Sequence, residues 1–345
     1  MNTLKKIGLS ALAGSLVAVS AHAGEMAVTG GLTATYATKS GDGGTASEDH
    51  GRGFSTATDI TFTGNAELDN GWTVSGFVTQ VEGMGSVSSS QMSITMGDMG
   101  KLKVNRVGGG AVNGMDDKLP TAWEEASDNS AHDFIGENIG SGIDDGSISY
   151  FLPALSLEGA TLSIGVDYDP AAGVAAGGTG SVQQTSTFGA GTGVSVDIST
   201  DLGLSIYAGA EEHERLVASS TAGAISKDAF NGTAGAAYAY GPVTVGYQQW
   251  YNDAGAGTHY ESDGMSVAFA VNDNLSLSYA KIDETKYGAG NRSANTNVEA
   301  SMKAYNVAYS MGSIAIKAHH GKTDNADFSS TVSNEMTEIS VSFAF

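Results

Sequence analysis

The chain has 345 residues, a formal net charge of −22, 48 glycines, 4 prolines and no cysteine. The absence of cysteine excludes a disulfide framework and thiolate metal sites. Only 16% of the residues are charged, against about 25% in an average domain, and the hydrophobic content of 41% argues against a large close-packed core. A membrane barrel with a wet interior uses such a mixture, because only its outer face must be apolar.

The first 23 residues have the features of a secretory signal peptide. Lys5 and Lys6 precede a short apolar run, and Ala21-His22-Ala23 has the small-x-small form of a cleavage site. The alternative is an uncleaved membrane anchor, but the run is shorter than the roughly 20 residues that span a bilayer. Cleavage leaves residues 24–345, a chain of 322 residues whose net charge is −24 because two lysines are removed.

Alternating apolar and polar residues then recur along the whole chain. Residues 60–68 alternate, Asp69-Asn70-Gly71 is a tight-turn signal, and the alternation resumes at Trp72, which predicts a hairpin with one apolar face. The same pattern predicts sixteen strands, which begin near residues 25, 54, 72, 88, 101, 145, 160, 185, 203, 228, 242, 262, 275, 297, 313 and 335.

The predicted connections alternate in length. Those after even-numbered strands are short, whereas most of those after odd-numbered strands are long and rich in Gly, Asp, Ser and Thr. No segment after the signal peptide has 18 consecutive apolar residues, so we expect no transmembrane helix. The pattern predicts an all-β protein, a transmembrane antiparallel β-barrel of sixteen strands with both termini at the periplasmic end.

The last strand fits barrel closure. Ile339, Val341 and Phe343 fall on one face, which we expect in lipid, and Phe345 is expected at the periplasmic interface. This strand must pair with the first one, because an open sheet edge in lipid leaves backbone groups unsatisfied. We interpret Phe343 and Phe345 as an assembly signal for the barrel-insertion machinery.

Four segments carry a resemblance to the trimeric general porins of Gram-negative bacteria, especially the alphaproteobacterial type. They are AELDNGWTVSG at 66–76, SITMGDMGKLKVNR at 93–106, DDGSISYFLPALSLEGATLSIGVDY at 144–168 and the terminal SVSFAF. The resemblance implies a homotrimer in the outer membrane, with the third extracellular loop folded into the pore as a constriction. Residues 107–144 match that loop in position, although KLPTAWEE at 118–125 departs from the PEFGG-like element of enteric members.

The predicted constriction loop is acidic. It contains one lysine, Lys118, and nine acids: Asp116, Asp117, Glu124, Glu125, Asp128, Asp133, Glu137, Asp144 and Asp145. In a narrow passage these carboxylates favour cations. The alternative is a solvated surface loop.

We expect compensating bases on the opposite wall of the pore. Strand parity puts Lys101, Lys103, Lys317 and His319 on the lumen face, and Arg215 shares the parity of lumen-facing Glu211. Arg106 has lipid-side parity, but it stands at a strand end, where a bulge would turn it inward.

Other chemistry has weaker support in the sequence. No HExxH, GxSxG or P-loop pattern appears, so we expect no catalytic residues, no metal ligands, no cofactor and no nucleic-acid partner. Acidic Gly-rich loops leave a structural Ca²⁺ site open, although no EF-hand loop is present.

The leading hypothesis is a passive diffusion channel for small hydrophilic solutes and ions, with a preference for cations. The alternatives are a substrate-specific outer-membrane channel, an outer-membrane barrel hydrolase and a secreted acidic adhesin with a β-sandwich.

Overall fold

A single closed antiparallel barrel dominates the computed structural model. The structure describes residues 19–21, 24–42, 50–81, 86–107, 109–128, 132–140, 143, 146–170, 188–216, 227–255, 257–288 and 295–345. Most of the expected signal peptide lies outside the described residues, as do Asp144, Asp145 and parts of several long connections. The short strand Val19–Ala21 pairs with residues 24–26.

Sixteen strands form the barrel wall, as the alternation predicts. They are β1 Gly24–Asp42, β2 Gly51–Glu67, β3 Thr73–Val81, β4 Ser86–Thr95, β5 Lys101–Arg106, β6 in two segments, Ile148–Phe151 and Leu155–Leu157, β7 Ala160–Asp169, β8 Phe188–Thr200, β9 Leu204–Arg215, β10 Ala229–Tyr240, β11 Val243–Asp253, β12 His259–Ala270, β13 Leu275–Tyr287, β14 Asn295–Met311, β15 Ile314–Asp324 and β16 Ser333–Ala344. Short 3-10 helices occupy Gly97–Met99, Asn113–Met115, Ile135–Asn138 and Ala326–Phe328. No helix among the described residues is long and apolar enough to cross a membrane.

Strand β6 is divided because of Pro153. Both segments pair with β7, but the register shifts by one residue between Phe151↔Gly165 and Leu155↔Leu162. Proline has no N–H to donate to the ladder and is confined to edges and bulges of sheets. Leu152 N–H still donates to Ile164 O at 3.0 Å, so the wall stays continuous across the interruption.

The last strand closes the barrel, as predicted. Strand β16 pairs with β1 from Ser333↔Asp42 to Ala344↔Gly31. Two further backbone bonds join Phe345 and Gly30 in both directions, at 2.9 and 3.0 Å. The last strand is therefore paired with the first to the end of the chain, so the sheet has no open edge here.

Side-chain direction follows the period of two along each strand. On β16, Ile339, Val341 and Phe343 are about half exposed on the outer surface, whereas Glu338, Ser340 and Ser342 point inward and are buried. The predicted apolar outer face is confirmed at these positions. An outer face that carries apolar side chains and an inner face that carries polar ones is what a barrel in lipid requires.

Candidate functional site

The segment between β5 and β6 folds into the barrel and lies along the inner wall. Its start is fixed by Asp167 of β7, whose carboxylate accepts the N–H groups of Ala111 and Val112, each at 2.8 Å. Its end is fixed to β5, because Asn105 N–H donates to Ser147 O at 2.9 Å and Gly146 N–H to Asn105 O at 3.0 Å. We call the intervening residues, 107–144, the inner loop.

Gln248 of β11 holds the first part of the inner loop, residues 109–128, which we call the outgoing arm. Its side chain is fully buried. Its Nε2 donates to Met115 O at 2.8 Å and Asp116 O at 3.0 Å, and its Oε1 accepts Lys118 N–H at 3.1 Å. Asp116 O also accepts the indole N–H of Trp250 at 2.9 Å. These backbone groups belong to no strand ladder, and side chains of the wall supply their hydrogen-bond partners instead.

Two further wall residues hold the far end of this arm. Ser278 Oγ of β13 accepts Ala122 N–H at 2.9 Å. Asn306 of β14 donates from Nδ2 to Glu124 O at 2.8 Å. The inner loop therefore spans the wall from β7 to β14, and its single described lysine, Lys118, forms an ion pair with Asp197 of β8 at 3.6 Å.

Apolar contacts cover the same track. Phe134 lies in residues 132–140, which we call the returning arm. Its ring packs edge-on against Trp250 with ring centroids 5.2 Å apart. A second group, Val112, Ile139 and Ile143, is almost completely buried. Burial of large apolar side chains against the wall stabilises the loop by about 1.5–3 kcal/mol per side chain.

Glycines on the inner wall make room for the loop. A Cβ at Gly193 of β8 would lie 2.6 Å from both Val112 Cγ2 and Ile143 Cδ1, and one at Gly209 of β9 would lie 3.0 Å from Met115 Cβ. A Cβ at Gly264 of β12 would lie 2.8 Å from Leu119 Cδ1. Since real Cβ contacts are longer than this, a side chain at any of these positions would push the loop into the lumen.

The acids of the inner loop form a connected group. Asp117 N–H donates to Asp116 Oδ1 at 3.0 Å, and Glu125 N–H donates to Asp128 Oδ2 at 2.7 Å. Burial, followed by the neighbouring carboxyls, raises the pKa of Asp116 to about 7 and that of Glu124 to about 8. The same causes raise the pKa of Glu125 more strongly, to about 10. We call residues 116, 117, 124, 125 and 128 the acid cluster.

Four of the predicted acids, Asp133, Glu137, Asp144 and Asp145, are not part of the acid cluster. Asp133 lies on the returning arm, where it is exposed, and its charge, after burial and the charge of Asp128, helps to raise the pKa of Glu137 to about 7. Asp144 and Asp145 fall outside the described residues. Within the part of the chain that the structure describes, no group of three or more His, Asp or Glu residues could hold a metal ion.

A family comparison decides what kind of barrel this is. A model described as Gram-negative porin matches residues 8–345. The chain belongs to this family. Porins are outer-membrane β-barrels that allow passive diffusion, and this chain is an outer-membrane barrel of that kind.

Solved porin structures share the fold at low sequence identity. OmpF of Salmonella typhi, in a complex with daunomycin, is 11% identical over 95% of this chain and 100% of its own, with a TM-score of 0.67. An anion-selective porin from Comamonas acidovorans is 14% identical over 93% and 99%, with a TM-score of 0.64. OmpT, an outer membrane protein of Vibrio cholerae, is 13% identical over 95% and 100%, with a TM-score of 0.62. A comparison with curated proteins found no match.

The predicted basic wall of this porin is partly wrong. Parity is correct for four residues, but Lys317 and His319 lie beside the inner loop and not across from it: Lys317 Nζ is 5.6 Å from the ring centroid of Trp123, and His319 bonds Asn306 at 2.9 Å. Lys103 Nζ donates to Gly109 O at 3.2 Å, at the base of the loop, and Lys101 is its inward neighbour on β5.

The two arginines do not line the constricted part of the porin lumen. Arg106 pairs with Ser90 on the outward face, in a groove that it shares with Val104 and Met92, so the expected inward turn is wrong. The guanidinium of Arg215 is bound at the loop end of β9, where it donates to the carbonyls of Lys227 and Ala254.

The wall across from the inner loop is mostly neutral. Inward positions of β1–β3 carry mainly small residues, Thr, Ser, Gly and Ala, and none of their described side chains is buried. Thr61 and Thr79 share a hydrogen bond of 2.9 Å, and the described charged residues on this wall are Lys39, Asp59 and Glu67. Sequence reasoning missed this contrast, and it also missed the anchors Asp167, Gln248 and Asn306. The inward parity of Gly193, Gly209 and Gly264 was a usable signal for the path of the loop.

Proposed function

We propose that this porin forms a water-filled channel for small hydrophilic solutes and ions, narrowed by the inner loop and selective for cations. Sixteen-stranded barrels are wide enough to leave an aqueous channel. The inner loop removes part of that width, because its backbone bonds to inward side chains such as Gln248 and Asn306. Ions must then pass between the inner loop and the wall of β1–β3.

The contrast between the two sides of this passage supports cation selectivity. The acid cluster lies on one side, and small residues with few charges lie on the other. The lysine of the loop is paired with Asp197, and Lys317 lies over Trp123, where its charge partly offsets that of Glu124. In a narrow passage a net negative field raises the local concentration of cations. The 14% sequence identity to an anion-selective porin supports only a shared fold. Ion selectivity depends on the lumen side chains of each chain.

Other parts of the function are proposed from the sequence and the family. We propose that residues 1–23 are a cleaved signal peptide, that Phe343 and Phe345 are read by the insertion machinery, and that the mature chain is a homotrimer in outer-membrane lipid. Channel function without catalysis is the proposal that fits the porin family.

Reversal potentials in a KCl gradient test the selectivity. The variant combines Asp116→Asn, Asp117→Asn, Glu124→Gln and Glu125→Gln. At pH 9, where Asp116 and Glu124 have lost their protons, we expect cation preference in the parent and a clear loss of it in the variant. The parent's preference should be weaker at high salt, since the Debye length falls from about 10 Å at 0.1 M to about 3 Å at 1 M. A matched control changes outward-facing acids, Asp263→Asn and Glu335→Gln, which do not face the lumen.

Two results would overturn the proposal. Chloride preference in the parent would refute cation selectivity. Deletion of residues 112–140 should raise single-channel conductance, so an unchanged conductance in a correctly folded deletion variant would refute the constriction.

A further inference from the structure

The connection between β15 and β16 reaches the inner loop. In this connection Asn325, Asp327 and Phe328 all have positive φ, at 59°, 53° and 58°. Non-glycine residues are strained in this region and persist where contacts hold them. Here Ala326 is fully buried and its N–H donates to Val332 O at 3.0 Å, while Asn325 donates to Glu299 O at 2.9 Å. We call residues 325–332 the outer loop.

His132 of the inner loop is the contact point. Its side chain is 1% exposed. Nδ1 accepts the backbone N–H of Asp327 at 3.1 Å, and the ring of Phe328 packs edge-on at 5.0 Å between centroids. A backbone N–H can only donate, so Nδ1 carries the lone pair and Nε2 carries the proton. That proton points at Glu284 Oε2, 2.7 Å away.

Glu284 fixes this arrangement to the barrel. It is an inward residue of β13 with no exposed surface. Besides His132 it accepts Ile135 N–H at 3.1 Å and the hydroxyl of Ser262 at 3.1 Å. Ile135 and Ser262 both donate to Oε1, whereas Oε2 has the His132 proton, so loss of the imidazole would leave Oε2 unsatisfied in a buried site.

We propose that His132 is a positioning residue that couples the outer loop to the inner loop, so that the conformation of the outer loop sets how firmly the returning arm is held against the wall. The imidazole joins three parts of the molecule: the wall through Glu284, the inner loop through its own backbone, and the outer loop through Asp327 and Phe328. This inference rests on the proposed role of the inner loop as the constriction.

Charged groups also lie near this contact. Asp327 Oδ1 is 3.9 Å from Nδ1 of His132. Lys286 Nζ lies 5.7 Å from the centroid of the Phe328 ring.

Single-channel recordings of His132→Phe, His132→Gln, Phe328→Ala and the double variant His132→Phe/Phe328→Ala test the coupling. Loss of one such contact, about 1.4 kcal/mol, should raise the frequency of current fluctuations about tenfold. The double variant should fluctuate no more often than His132→Phe, because both changes break the same contact between the inner loop and the outer loop. His132→Gln should restore quiet currents at neutral pH, since an amide supplies one donor and one acceptor. His320→Gln, on the outward face, is the control.

Rescue by His132→Gln separates positioning from simple packing, because the amide restores a donor and an acceptor but not the shape of the ring. Frequent fluctuations in His132→Gln, additive effects in the double variant, or a quiet His132→Phe channel would each overturn the proposal. Heat-modifiable migration on a gel shows whether each variant is folded. If His132→Phe does not fold, the recordings of Phe328→Ala and His132→Gln still test the coupling. The deletion of residues 112–140 tests the constriction separately, since it reads conductance and not fluctuation.

Discussion

Replacing Gln248 by alanine should release the outgoing arm of the inner loop while leaving the barrel intact. The side chain makes three bonds to loop backbone, to Met115 O, Asp116 O and Lys118 N. At about 1 kcal/mol each, their loss weakens docking of this arm by about 3 kcal/mol. Because every 1.4 kcal/mol is tenfold, the arm should leave the wall about a hundredfold more often.

Single-channel current noise measures this release directly. Gln248→Ala should show frequent transitions between conductance levels, and its heat-modifiable migration should match the parent, because the strand ladder of β11 is unchanged. The control is Gln249→Ala, one residue further along β11, whose side chain points outward and is exposed. The anchoring argument would be refuted if folded Gln248→Ala were as quiet as Gln249→Ala at the same conductance.

Three further predictions follow from the same geometry. Cation preference should rise between pH 6 and 9. The raised pKa values, about 7 for Asp116 and about 8 for Glu124, mean that these carboxyls lose their protons in that range. A reversal potential that does not change across the range would contradict this. Gly193→Leu should displace the inner loop and change conductance without lowering the thermal stability of the barrel, measured by migration after heating; an unchanged conductance would be inconsistent with the close approach seen at this glycine. Removal of Phe345 deletes two backbone bonds to Gly30, so it should lower the amount of folded protein in the outer membrane but not the conductance of channels that form; normal amounts of folded protein would count against it.

Much of the barrel was predictable because one physical rule repeats. A strand with one face in lipid must alternate, so the positions of Phe62, Val194 and Val341 could be assigned from the sequence alone. The turn at Asp69-Asn70-Gly71 was equally local, since Gly71 has the positive φ of 80° that the turn requires. Pro153 carried a signal too, and its effect is the division of β6 into two segments.

The site was less predictable because it depends on which wall the loop follows. Parity shows that Lys103 and Lys317 face inward, but it cannot show which inward residues the inner loop covers. Gln248 and Asn306 look like any polar lumen residue in the sequence, and only the path of the loop makes them anchors. Arg106 followed its parity, because the strand register with Ser90 is regular to the end of β5.

The glycine track beneath the inner loop makes the barrel eccentric. On the side of β8, β9 and β12 the inner loop fills the interior against the wall, so the conduction path cannot follow the axis of the cylinder and must be displaced toward β1–β3. That displaced half is lined by small hydroxyl side chains such as Thr61 and Thr79, which neither hold the loop nor pack against it. Side chains in this half of the pore can therefore be replaced without disturbing the inner loop. The chain has no cysteine of its own, so a single cysteine introduced there would give one reactive thiol in the conduction path. An introduced charge would face the passing ions in the same way.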